Sequence, residues 1–315
     1  MTPGPWSGVA WALAAGLMWG LMFVAPLLLP GYPAALLAVG RYLAFGLIAL
    51  PLGWLDRAEL ARLRRADWLE ALKLAAVGNL LYYSCLAGAI QRAGAPLATL
   101  INGTLPVVVA IAANLRGETR VPWVRLLPSL LLIGAGIACV DRAASASAVD
   151  RARQAGGILL AIGAVACWTW YPLRNAEWLR RNPARKPRTW TTAQGIAILP
   201  LPLIGFLALW IVREVAGGAP PMPLGPQPLA FVGIVAALAL FSTWLGSVCW
   251  NQASRRLPIA LAGQLMVFET LAALAYVFLL RRQWPTGLEA AGILLLILGV
   301  LWACRDLFAA RQTRA

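Results

Sequence analysis

The chain has 315 residues, of which 61% are hydrophobic and only 12% charged, about half the roughly 25% of soluble domains, and its mean hydropathy is +0.73. That composition excludes a soluble domain, a disordered chain and collagen-like or disulfide-stapled classes, and leaves a polytopic membrane protein. The net charge of +15 comes without a single histidine, so the commonest general base and transition-metal ligand are missing, and the basicity points either to nucleic acid or to arginine-rich loops beside a membrane.

A membrane-spanning helix needs roughly 20 apolar residues. In chain order the sequence predicts ten such spans, at about 6–28, 33–54, 68–90, 95–115, 121–140, 156–179, 189–212, 228–252, 258–280 and 285–304. Between them stand Pro30-Gly31, the charged run Asp56 to Asp67, Arg92–Gly94, the polar stretch Asp141–Gln154, Asn182–Arg188 and the Pro/Gly tract Gly217–Pro228. The first span has no basic segment before it and no clear small-residue cleavage site after it, so it is expected to be a retained helix and not a signal peptide.

The basic residues sort by side. Connections after spans 2, 4, 6 and 8, with the C-terminal tail, hold 17 Lys/Arg, among them Arg62, Arg64, Arg65, Arg180, Arg181 and Lys186. The other side holds seven: Arg92, Arg142, Arg151, Arg153, Arg213, Arg281 and Arg282. This bias predicts both termini in the cytoplasm and accounts for the positive charge without nucleic acid. Chemistry of other kinds finds no foothold. The cysteines (Cys85, Cys139, Cys167, Cys249, Cys304) lie in apolar segments with no CxxC, and no P-loop, dinucleotide fingerprint or carboxylate pair in a plausible cleft appears. No catalytic residue, metal ligand or cofactor is expected.

The two halves look related. Residues 1–140 and 156–308 each hold five spans, flanking an external linker at 141–155, with 309–315 as a cytoplasmic tail. Gly8 and Trp19 correspond to Gly157 and Trp168 at one spacing, and Cys85 corresponds to Cys249. Arg120-Val121-Pro122 corresponds to Gln283-Trp284-Pro285, and Gly136 to Gly299. Two related five-span halves must enter the membrane from opposite sides. The expected fold is therefore an all-α polytopic membrane protein of ten helices in two inverted five-helix repeats, a plan used by secondary transporters with a midplane site.

On Trp19-Gly20, Arg41-Tyr42-Leu43, Pro106, Gly117-Glu118 and the Gly134/Gly136 end of span 5, the chain resembles the ten-helix, EamA-type branch of the drug/metabolite transporter superfamily. Within it, the chain is most similar to YddG-type aromatic amino acid exporters. Glu269-Thr270 stands where relatives often carry Glu-Pro, and Arg281-Arg282 where they often carry Gly-Glu. The resemblance implies a cavity built by spans 1–4 and 6–9, with spans 5 and 10 peripheral, and an outward direction of transport.

Polar groups inside spans must find partners or face a cavity. Arg41 is either an anion clamp for a substrate carboxylate or a structural arginine satisfied by carbonyls. Glu269 is either a coupling or ammonium-binding carboxylate or a hydrogen-bonded packing residue. Asn79, Asn102 and Gln264 face the pathway or glue helices together, and Gln264 sits about 140° round the helix from Glu269. Among the aromatics inside spans, Trp19, Tyr82, Tyr83, Trp168 and Tyr171 are candidates for lining the pathway. Asn79 with Tyr82 and Tyr83 at i, i+3 and i+4 suggests an amide beside rings, which suits a flat apolar body with a polar end. The expectation is a secondary exporter of amino acids, aromatic or bulky and apolar, in a bacterial inner membrane, monomeric or homodimeric, with the bilayer and a small molecule as partners. Export of hydrophobic drugs or cations is the alternative; a membrane-embedded receptor or enzyme is the third reading.

Overall fold

The computed structural model describes residues 5–115, 123–144, 151–215, 224–257 and 265–312, and among these every regular element is helical. We label them α1 (Trp6–Leu28), α2 (Ala34–Leu55), α3 (Arg65–Ala93), α4 (Ala95–Asn102 continued by Leu105–Leu115), α5 (Trp123–Ala144), α6 (Arg151–Arg181), α7 (Pro187–Val212), α8 (Pro228–Arg256), α9 (Val267–Arg281) and α10 (Gly287–Gln312). Six of them, α1, α2, α3, α6, α7 and α8, are long and apolar enough to cross a membrane. Shorter apolar stretches occur in α4 (Ala95–Val109) and α10 (Gly287–Trp302).

Of the expected ten spans, six thus appear as helices long and apolar enough to cross a membrane, and several of the others differ from expectation. Span 4 is broken at Gly103-Thr104, just ahead of Pro106, whose missing N–H cannot continue the helix. Span 7 is interrupted at Leu199 by Pro200 for the same reason. The first residues expected in span 9, 258–264, lie outside the described residues. The linker expected at 141–155 is shorter, because α5 persists to Ala144 and α6 begins at Arg151, with the Gln154 amide donating to Asp141 Oδ1 at 2.9 Å. Several helices open on proline in the first turn (Pro96, Pro187, Pro228), where the fixed φ suits a helix and the absent donor costs nothing.

The packing recurs at constant sequence spacings. Helix α1 lies along α8 and α9, while α6 lies along α3 and α4. A Cβ on Gly8 would sit 2.7 Å from Leu257, and one on Gly157 2.7 Å from Ala93. Gly8 and Gly157 are 149 residues apart; Ala93 and Leu257, like Cys85 and Cys249, are 164 apart. Helix α2 packs on α7, with Gly46 against Leu199 and Gly195 against Ala49, again glycines 149 apart. Helices α3 and α8 each carry a π-helical stretch, Ala76–Leu81 and Leu238–Leu245, at overlapping positions under the 164-residue spacing. Helices α5 and α10 lie side by side at the edge, where a Cβ on Gly136 would come within 2.7 Å of the Gly292 carbonyl and one on Gly299 within 3.0 Å of that of Ser129. Such close helix approach needs small residues at the contact.

The bundle is clasped differently at its two ends. At one, the Tyr32 ring stacks on Phe231 at 4.8 Å, and its hydroxyl donates to the Leu224 carbonyl at 2.6 Å and accepts from the Gln227 amide at 2.9 Å. The Gln91 side chain ties the same turn down by bonding to both Tyr32 O and Ala34 N. At the other end the ties are charged: Arg188 to Asp56, Lys186 to Glu59 at 3.4 Å, and Arg174 to Glu70 at 2.5 Å. Around the girth, Leu47, Leu81, Leu159, Ile204, Ile211, Leu279 and Leu294 are exposed, an apolar exterior suited to lipid.

Candidate substrate site between the helices

Arg41 lies about two turns into α2 from the Tyr32 end and is 2% exposed. Its Nε donates to Thr243 Oγ1 at 2.8 Å and its Nη2 to Ser242 Oγ at 3.1 Å. Both hydroxyls stand in the π-helical stretch of α8, a local widening that recurs at functional sites. The guanidinium lies 4.3 Å from the centroid of the Tyr83 ring and 5.2 Å from that of Tyr42. The Tyr83 hydroxyl donates to the Met22 carbonyl at 3.2 Å, and the guanidinium lies over the Tyr83 ring, a cation–π contact. Arg41 Nη1 has no partner.

Glu269, in the first turn of α9, is also 2% exposed, and its Oε1 has no partner. It forms no ion pair with Arg41 within 4.0 Å. Gly16 of α1 lets the α9 backbone approach at Glu269: a Cβ there would sit 3.2 Å from the Glu269 amide nitrogen.

A column of rings runs through the middle. Tyr82 stacks on Trp168 at 5.1 Å, Trp168 stacks on Tyr171 at 4.8 Å, and Trp19 meets Trp168 edge-on at 5.2 Å. Trp250 closes against Trp19 at 5.3 Å. The Tyr82 hydroxyl donates to Asn102 Oδ1 at 3.3 Å. Trp168 Nε1 is buried without a partner, as is Thr99 Oγ1, one turn from Asn102 on α4. Among the described residues six buried side-chain atoms lack a partner, and four of them (on Arg41, Thr99, Trp168 and Glu269) come from α2, α4, α6 and α9 around this column. Buried polar atoms are normally satisfied, so a concentration of exceptions marks a place where a ligand can supply the missing bonds.

A second polar cluster lies toward the Asp56 end. Asn175 donates to Asn251 Oδ1 at 2.8 Å and accepts from Trp190 Nε1 at 2.8 Å and from Gln194 Nε2 at 3.4 Å. Asn251 donates to Thr191 Oγ1 at 3.0 Å, and Tyr171 donates to Gln194 Oε1 at 3.1 Å.

Of the residues expected from sequence, the structure brings Trp19, Arg41, Tyr82, Tyr83, Asn102, Trp168 and Tyr171 into this buried interior, with Glu269 beside them. Asn79 is buried in the π-helical stretch of α3, and the amide that meets the Tyr82 hydroxyl is that of Asn102 instead. The i, i+3, i+4 pattern assumed a regular α-helix, which the wider π turn replaces. Gln264 lies outside the described residues. Sequence reasoning missed Ser242, Thr243 and Thr99, and the Asn175, Trp190, Thr191, Gln194 and Asn251 network that Tyr171 joins. The 164-residue spacing carries Gly78-Asn79 onto Ser242-Thr243, and that signal was there to be used.

A bundle of apolar helices around a buried, partly unsatisfied polar site is the frame of a membrane transporter. Residues 6–140 match the EamA-like transporter family, and the chain belongs to that family. Over 307 residues it is 50% identical to the inner membrane protein YtfF of Escherichia coli (strain K12), with 95% of each chain covered. A solved crystal structure superimposes with a TM-score of 0.65 at 18% identity, covering 98% of this chain and 99% of that one, a likeness of fold.

Proposed function

We propose that the chain is a secondary transporter of the bacterial inner membrane that exports amino acids with aromatic or bulky apolar side chains by alternating access. In this reading α1–α5 and α6–α10 are two inverted five-helix repeats of ten spans, with both termini cytoplasmic and the stretch between Ala144 and Arg151 outside. The recurring spacings of packed glycines, the paired π-helical stretches and the bias of basic residues support it.

The observation that carries the substrate class is a pair of buried ionisable groups, one basic and one acidic, that each keep one atom open, Arg41 Nη1 and Glu269 Oε1, beside a column of rings. A zwitterion answers both: its carboxylate meets the guanidinium, its ammonium meets the carboxylate, and its side chain lies against Tyr82 and Trp168. A lipophilic cation, the other ligand considered, leaves Arg41 uncompensated in a low dielectric.

The test is counterflow in liposomes holding the purified chain. Exchange of labelled tryptophan or phenylalanine is expected; flux of lipophilic cations without amino acid exchange overturns the substrate assignment, and flux of neither overturns transport of both classes. For topology, single cysteines at Ser147 and Ala184 in a chain freed of its native cysteines are probed on intact cells with a membrane-impermeant thiol reagent. Ser147→Cys should label and Ala184→Cys should not; the reverse pattern defeats the orientation.

A further inference from the structure

Near the Asp56 end a groove of about 520 Å³ opens between α3 and α7, lined by Arg65, Trp68, Leu69, Leu72 and Ala197. Arg65, Trp68, Leu69 and Leu72 fall at i, i+3, i+4 and i+7, so one face of α3 supplies most of the wall. Apart from Arg65, which is exposed, the lining is apolar, and Leu69 is exposed to more than half its surface.

The charges around the groove are unbalanced. Asp56 is taken by Arg188, and Glu59 by Arg62 and Lys186. Asp67 accepts from the Trp178 indole at 3.0 Å and from the Arg64 amide at 2.9 Å, while Glu70 and Glu177 are both engaged by Arg174. Those five carboxylates are spent, and Arg64 and Arg65, both exposed, form an ion pair with none of them.

We propose that this groove is a binding site for an anionic phospholipid, with the phosphate on Arg64 and Arg65 and one acyl chain laid along Trp68, Leu69, Leu72 and Ala197. A groove that is apolar within and cationic at its mouth is complementary to an amphiphile with an anionic head. Basic pockets at helix ends hold acidic lipids by this combination, and a tryptophan at the same level sits well at the headgroup boundary. The apolar lining selects a lipid over a free anion, which would have water on one side and hydrocarbon on the other. The assignment does not depend on which small molecule the chain carries.

The full-length chain, reconstituted in nanodiscs of equal phosphatidylcholine and phosphatidylglycerol, is stripped into detergent, and the lipids that stay bound are counted by native mass spectrometry. The wild type is expected to retain phosphatidylglycerol preferentially. Arg64→Gln with Arg65→Gln should lower that retention about tenfold or more, each arginine near a surface being worth about a fivefold factor. Ala197→Phe, which fills the groove and leaves both arginines, should lower it as well, and it decides the matter if the double arginine variant does not fold. Arg281→Gln with Arg282→Gln, at the opposite end, should leave it unchanged. Equal retention of the two lipids by the wild type, an equal loss in the Arg281/Arg282 variant, or full retention by Ala197→Phe overturns the proposal. Displacement by inorganic phosphate as effective as by phosphatidylglycerol also overturns it, since it identifies a site for a free anion.

Discussion

Arg41 and Trp190 stand 149 residues apart, the spacing that also separates Gly8 from Gly157, yet they organise opposite kinds of polar cluster. Around Trp190 the network is closed: Asn175, Gln194, Asn251 and Thr191 bond one another, and none of their buried atoms lacks a partner. Around Arg41 the network is open: Ser242 and Thr243 hold two of the guanidinium nitrogens, and Nη1, Glu269 Oε1 and Trp168 Nε1 are left over. A closed network rigidifies the helices that share it and has nothing to offer a ligand. An open one carries a desolvation cost that a ligand can relieve, which is why the open cluster is the one proposed to meet the substrate.

The sharpest way to break this comparison is to remove the charge from the open cluster. Arg41→Ala should weaken substrate binding by about 2–5 kcal/mol, the range for truncating one member of a buried, hydrogen-bonded charge pair, and abolish measurable exchange. Arg41→Lys should recover only part of this, because an ammonium cannot present the planar fork that reaches Thr243, Ser242 and a carboxylate together. Radioligand binding to purified, monodisperse protein reads both. Wild-type affinity in Arg41→Ala would make the arginine a structural residue.

Glu269→Gln keeps shape and hydrogen-bonding capacity but fixes a neutral group. A charge-assisted bond to an ammonium becomes a neutral one, so tryptophan binding should weaken by about 1–2 kcal/mol. Indole-3-propionate, which has no ammonium, should bind the variant no worse than the wild type. Parallel loss for both ligands would place Glu269 in packing and detach it from the substrate.

The closed cluster should answer differently. Asn251→Ala leaves Asn175 Nδ2 without a partner and Thr191 with only its bond to the Pro187 carbonyl, and should lower stability by about 1–3 kcal/mol, seen as a drop in Tm of the detergent-solubilised protein. The affinity of the folded fraction for tryptophan should be unchanged. A large loss of affinity at constant Tm would mean that both clusters touch the substrate.

How much of this was legible in the sequence follows from physical range. The helices and the rings inside them could be read because hydrophobic length is a local property. The recurring 149-residue spacing could be read because close contacts need glycine, as at Gly8 and Gly157. Arg41 and Glu269 stood out because charge is rare in apolar spans. The role of Ser242 and Thr243 was hidden, since hydroxyls can satisfy themselves on their own helix, and only the π-helical stretch aims them at α2. The break at Gly103-Thr104 could have been drawn from Pro106. The partner choice of Tyr82, Asn102 over Asn79, could not, because it depends on how α4 sits against α3.

The finest test lies at Tyr82, where ring and hydroxyl separate the two behaviours within one side chain. Tyr82→Ala removes the first member of the ring column and should weaken binding of aromatic substrates by about 1–3 kcal/mol. Tyr82→Phe keeps the column and removes one long neutral hydrogen bond, 3.3 Å to Asn102 Oδ1. If the hydroxyl only tethers Asn102, its loss frees one more acceptor in a site that already has open atoms, and a substrate ammonium can take it up. The change in affinity should then stay below about 1 kcal/mol, in either direction, with transport intact. Isothermal titration with tryptophan on wild type, Tyr82→Phe and Tyr82→Ala separates the contributions. If Tyr82→Phe costs as much as Tyr82→Ala, the hydroxyl contacts the substrate directly and Asn102 is its positioning partner, which would extend the open cluster from α2, α4, α6 and α9 onto α3. If neither change is felt, the column is packing and the aromatic substrate class falls with it, leaving Arg41 and Glu269 to bind a zwitterion of another shape.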